Sequence, residues 1–132
     1  MSNDARYDRQ LRIWGVHGQR RLEAARICIC GSGPCGSEAL KNLVLGGIGD
    51  FALIDDNLVK DTDLGNNYLV DEEGLGNQRG EVVCRLLNEL NESVRGATVN
   101  ISPKELIHER PEYFNDFSLI IATQVDLLAF VN

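Results

Sequence analysis

The chain of 132 residues reads as one α/β domain, a mostly parallel sheet with flanking helices, preceded by a two-helix arm. Three observations predict this. Short apolar runs at 26–30, 50–54 and 118–122 are separated by segments of helical periodicity, the alternation that gives parallel strands with crossover helices. A glycine-rich turn, Gly31-Ser32-Gly33-Pro34-Cys35-Gly36, lies directly between the first run and the next helical segment. Over residues 1–26, Arg6, Arg9, Arg12, Arg20, Arg21 and Arg26 outnumber Asp4, Asp8 and Glu23, giving a basic arm on a chain of net charge −7.

The elements follow in order. Segments 7–15 and 17–25 read as two short helices broken at Gly15, with Tyr7, Leu11 and Trp14 on one stripe. Arg9 lies about 200° around that helix from Leu11, so it should project away from whatever the stripe packs against. The run 26–30, stopped by Gly31, predicts a buried strand, and 36–45 a helix that ends at Gly46-Gly47. A second strand is expected at 50–54, then a long polar loop over 55–76. Segment 77–91 is amphipathic, with Val82, Val83, Leu86, Leu87 and Leu90 on one face and a Glu81–Arg85 pair outside. A strand at 98–101, a helical turn at 111–115 and a last strand at 118–122 complete the pattern. With only 123–132 behind that strand, the sheet should be incompletely covered. The expected organisation is an arm, 1–26, and a domain, 27–132, truncated on its C-terminal side.

Composition excludes several classes. A net acidic chain lacks the basic field that nucleic acids require. No apolar run approaches the ~20 residues needed to cross a bilayer, and no apolar core follows the first charges as in a secretory signal. Cys28, Cys30, Cys35 and Cys84 lack the paired spacing of a zinc site and give no sign of an oxidising compartment. A cytoplasmic or nuclear location is the expectation, with no metal site. Cys28 and Cys30 share a strand face and read as small buried hydrophobes. His17 and His108 stand alone as surface residues, and Tyr113 and Phe114 read as core. No residue is expected to be catalytic.

The glycine turn carries the chemistry. Gly31 permits a tight turn, Gly33 lets a phosphate approach the backbone, and Gly36 lets helix and strand pack closely. Asp55 follows Gly36 by 19 residues, at the end of the next strand, where a carboxylate can accept from a ribose hydroxyl. These residues predict a Rossmann-like nucleotide site. An NAD-dependent oxidoreductase is one reading, but the basic arm and the long loop are features that such an enzyme does not need.

Two longer segments are more specific than the glycine turn: Tyr7-Asp8-Arg9-Gln10-Leu11-Arg12-Ile13-Trp14-Gly15 and Lys41-Asn42-Leu43-Val44-Leu45-Gly46-Gly47-Ile48-Gly49. With them the chain resembles, over nearly its whole length, the ThiF-type adenylation fold of ubiquitin-like-modifier activating enzymes. Asp63-Leu64-Gly65-Asn66-Asn67, Leu87-Asn88-Glu89-Leu90-Asn91 and Ile121-Ala122-Thr123-Gln124 look most like the regulatory, catalytically silent branch that serves neddylation. The sumoylation branch carries the same arm, and a homodimeric adenylyltransferase is the alternative within the family.

The resemblance implies a specific pattern of loss. Active members hold the nucleotide with Asn and Arg of an Asn-Leu-Asn-Arg-Gln segment, where this chain has Gly65 and Asn66. Their phosphate-binding lysine corresponds to Arg79, and their magnesium-associated aspartate to Gln124. The glycine turn and Asp55 would then be a vestigial nucleotide site. Arg9, in the Tyr-Asp-Arg motif, is similar to an arginine that reaches across the dimer to the phosphates of ATP. The resemblance therefore implies a heterodimer with a catalytic subunit, ATP and magnesium in that partner, and a ubiquitin-like modifier as the protein handled.

Overall fold

The computed structural model describes residues 3–123. A short helix α1 (Asn3–Arg6) leads into α2 (Asp8–Glu23), which is interrupted at Gly15 by a non-helical conformation, φ 74° and ψ 177°. The break expected at Gly15 is therefore present. Strand β1 (Arg26–Cys30), helix α3 (Pro34–Gly46) and strand β2 (Asp50–Ile54) follow as the periodicity predicts.

Segment 55–76 is not the structureless loop expected. It contains α4 (Asp61–Asn66) and a 3-10 turn (Glu72–Gly74), and it buries Val59, Leu69 and Val70 in the main core. Helix α5 (Arg79–Leu90) comes next, then β3 (Arg95–Val99), which starts three residues earlier than expected. Gly96 leaves the space that the Phe51 ring fills, so the strand runs through a residue that propensity disfavours. Helix α6 (Pro103–Glu109) was not expected; Ser102 caps it by accepting from the Glu105 amide. A 3-10 turn (Pro111–Asp116) and β4 (Leu119–Ala122) end the described part.

The sheet is wholly parallel, in the order β3-β2-β1-β4. Alternation along β1 and β2 divides the core. Ile27, Ile29, Phe51 and Leu53 pack with Leu40, Val44, Val83 and Leu87 of α3 and α5. Burying each such side chain contributes roughly 1.5–3 kcal/mol. On the other face Cys28, Cys30 and Ile54 meet Leu106, Tyr113, Phe114 and Phe117. The expectation of an incompletely covered sheet is thus corrected for these central strands, because residues 103–117 cover the second face. Leu119 and Ile120 of the edge strand remain exposed.

Two details of the helices differ from the pattern. The predicted stripe divides: Tyr7 is buried, while Trp14 is 44% exposed and donates its indole N–H to Gln19 Oε1 at 3.0 Å. Glu81 accepts from Asn100 Nδ2 at 2.8 Å, which replaces the expected pair with Arg85. The arm is folded back on the domain. Gln10 and Gln19 donate to the Gly46 carbonyl, and the Tyr7 hydroxyl accepts from buried Asn91 at 2.8 Å. Among the described residues no helix is long and apolar enough to cross a membrane.

Candidate functional site

The glycine turn is built by close approach. Gly31 has φ 98°, a conformation that favours glycine, and a Cβ there would meet the Thr123 carbonyl beyond β4. A Cβ on Gly36 would collide with the Gly31 carbonyl and lie 2.7 Å from Thr123 Oγ1. Gly33 occupies the N-cap of α3 in an extended conformation, with Pro34 opening the helix. Beneath the turn, the Ser32 carbonyl accepts from the Ser37 hydroxyl at 2.7 Å and from Asn67 Nδ2 at 2.8 Å.

Asp55 stands at the end of β2, opposite this turn, and is 1% exposed. Its Oδ2 accepts from the Ser32 amide at 3.0 Å, from the Ser32 hydroxyl, and from Arg79 Nε and Nη2 at 2.9 Å each. Its Oδ1 accepts from the amide of Asn57 at 2.9 Å and from Asn57 Nδ2 at 2.7 Å. The guanidinium of Arg79 also donates from Nη1 to Asp63 Oδ1 at 3.1 Å, and Asp63 Oδ2 caps α4 through the Lys60 amide at 2.9 Å. Burial alone would raise the pKa of Asp55. The hydrogen bonds from Ser32 and Asn57 outweigh burial and hold the carboxyl below its ordinary value.

Local chain pairing puts Arg79 there. The Asn57 carbonyl accepts from the Arg79 amide, the Asn77 carbonyl from the Val59 amide, and the Val59 carbonyl from the Gly76 amide. This ladder brings the N-terminus of α5 beside the end of β2. Asp55 faces six donor contacts, two of them from the Arg79 guanidinium on Oδ2. A ribose hydroxyl would have to displace one of them.

The structure brings the glycine turn and Asp55 together through Ser32, as the sequence predicts. Arg79, at the position that matches the phosphate-binding lysine of active members, is turned into two carboxylates. Gly65 and Asn66 are exposed, and Gln124 lies outside the described residues. Ser32, Asp63 and Asn67 were not singled out as parts of the site. Asp63 lies in α4, which has no sequence period to reveal it, and Ser32 and Asn67 meet only in three dimensions.

Arg9 is not part of this cluster. It is exposed on α2, and among the described residues its side chain makes no hydrogen bond or ion pair. Asp8 pairs with Arg12 at 3.1 Å. The thiols of Cys28, Cys30 and Cys84 are buried, and Cys35 is exposed. The adjacent Cys30 thiol and burial push Cys28 well above the ordinary thiol value, and burial raises Cys84. Among the described residues no group of His, Cys, Asp and Glu is arranged to hold a metal ion.

A parallel α/β sheet with a glycine turn at the first strand–helix junction and an acid at the end of the second strand defines a Rossmann-like domain. The chain belongs to the ThiF family, whose model matches residues 7–128. It is 52% identical to the NEDD8-activating enzyme E1 regulatory subunit AXL of Arabidopsis thaliana, over 91% of this chain and 23% of that protein. It is 46% identical to the NEDD8-activating enzyme E1 regulatory subunit of Gallus gallus, over 92% of this chain and 23% of that protein. The chain thus spans about a quarter of the length of these relatives. Among solved structures, E. coli tRNA N6-threonylcarbamoyladenosine dehydratase in complex with ATP shares the fold. It superposes with a TM-score of 0.83 at 24% identity, over 95% of this chain and 51% of that one. E. coli MccB, solved with AMPCPP, gives a TM-score of 0.75 at 26% identity, over 83% of this chain and 35% of that one.

Proposed function

We propose that this chain is the adenylation-fold segment of the regulatory subunit of a NEDD8-activating enzyme. In this reading it takes no nucleotide of its own, pairs with a catalytic subunit and extends Arg9 to the phosphates of ATP and magnesium bound there. It also helps to dock the ubiquitin-like modifier, in the cytoplasm or nucleus. The likeness to the regulatory subunits supports the pathway. One structural observation carries the division of labour: the acceptor Asp55 is engaged from within the chain, while Arg9 stands exposed with no partner among the described residues. A guanidinium supplied from outside brings a fixed charge and a planar fork to phosphate oxygens. Ile13 and Val16 expose apolar side chains beside the Gly15 break, which suits a surface covered by another protein.

The test is pyrophosphate exchange with ATP, magnesium and NEDD8, using the full-length protein that carries this segment. Exchange is expected only when the catalytic subunit is present. Exchange by this protein alone would contradict the proposal.

A further inference from the structure

We propose that Arg79 closes the glycine-turn site: its guanidinium holds Asp55, the carboxylate that would otherwise take a ribose hydroxyl, and so shuts the site to nucleosides. This rests on the reading above that the chain's own pocket takes no nucleotide, and it names the residue responsible.

The geometry is that of a clamp. One guanidinium spans two carboxylates on different elements, Asp55 at the end of β2 and Asp63 in α4, and it also lies 3.3 Å from Ser32 Oγ in the turn itself. The Arg79 side chain is 13% exposed, and its main-chain amide is fixed by the Asn57 carbonyl. An arginine held at both ends cannot swing aside without taking the cation away from two nearly buried carboxylates, which is costly. The cluster of two acids and one base is net negative. The Arg79 cation is already taken by two carboxylates, and a ribose hydroxyl would have to displace it from Asp55 Oδ2.

Loss of Arg79 alone would confound binding with instability, because Asp55 and Asp63 would face each other unpaired. The double variant Arg79→Met with Asp63→Asn avoids this. It keeps the cluster at one net negative charge, leaves Asp55 with its donors from Ser32 and Asn57, and leaves residue 63 an oxygen for the Lys60 amide. Arg79→Lys is the second variant: it keeps the charge and gives up the planar fork that spans both acids.

The experiment is an adenosine titration of the full-length protein followed by calorimetry, with near-ultraviolet circular dichroism to verify the fold. Adenosine carries no phosphate, so it reports on the ribose acceptor alone. The double variant should bind at least tenfold more tightly than wild type, Arg79→Lys about threefold, and adding Asp55→Ala should abolish the gain. A folded variant of either kind with no gain overturns the role of Arg79 and leaves the regulatory reading intact. Tight binding of adenosine by wild type would contradict both.

Discussion

Arg79 reaches Asp55 across 24 residues of sequence, with two of its nitrogens 2.9 Å from the same carboxylate oxygen. The contact ties the start of α5 to the end of β2, the position where a nucleotide-binding fold keeps its ribose acceptor. A cation and an anion placed by two separate elements thus satisfy each other within one chain.

The lowered pKa of Asp55 has a consequence in acid. An unfolded aspartate titrates at about 3.9, so its stabilising contribution is complete above that value and is lost as the pH falls through the lower folded value. Urea midpoints measured from pH 7 down to pH 3 should fall less steeply for Asp55→Asn than for wild type. Parallel curves would show that another group governs the acid limb.

Gly36→Ala should destabilise the domain by about 1–3 kcal/mol, because the new methyl group meets the Gly31 carbonyl, part of the backbone. Gly65→Ala is the control. Nothing lies within 4 Å of a Cβ there, and the site is within α4, so stability should hold or rise by up to about 1 kcal/mol. Thermal or urea unfolding of the two variants measures the difference.

Thiol labelling reads the second core directly. Under native conditions Cys35 should react with a maleimide in seconds to minutes, whereas Cys28, Cys30 and Cys84 should wait for unfolding. Rapid native labelling of Cys28 or Cys30 would mean that residues 103–117 do not stay on the sheet.

Strands and long helices were legible because their signals are periodic. The 26–30 and 50–54 runs and the helix around Val82, Val83 and Leu87 match the observed elements closely. Helix α4 was not legible, since Asp-Thr-Asp-Leu-Gly-Asn has one apolar residue and no period to read. Helix α6 did carry a signal, Ser102-Pro103 followed by Glu105, but its seven residues are too few for a convincing stripe. At the site, Gly31, Gly33, Gly36 and Asp55 were readable from spacing. The engagement of Arg79 was not, because its charge was visible in the sequence while its direction depends on the pairing of 57–59 with 76–79.

The central claim is that Arg9 acts on a partner's nucleotide, and the rate of NEDD8 activation tests it most directly. Full-length protein with Arg9→Ala or Arg12→Ala should be combined with the catalytic subunit and assayed at two ionic strengths. Arg12 is already paired with Asp8, whereas Arg9 has no partner among the described residues. A charged hydrogen bond contributes roughly 1.5–3 kcal/mol, so Arg9→Ala should slow activation about ten- to a hundredfold with subunit association nearly intact. Arg12→Ala should cost much less. Equal losses for both variants, vanishing in high salt where long-range attraction is screened, would contradict a specific role for Arg9 and leave only a diffuse basic arm.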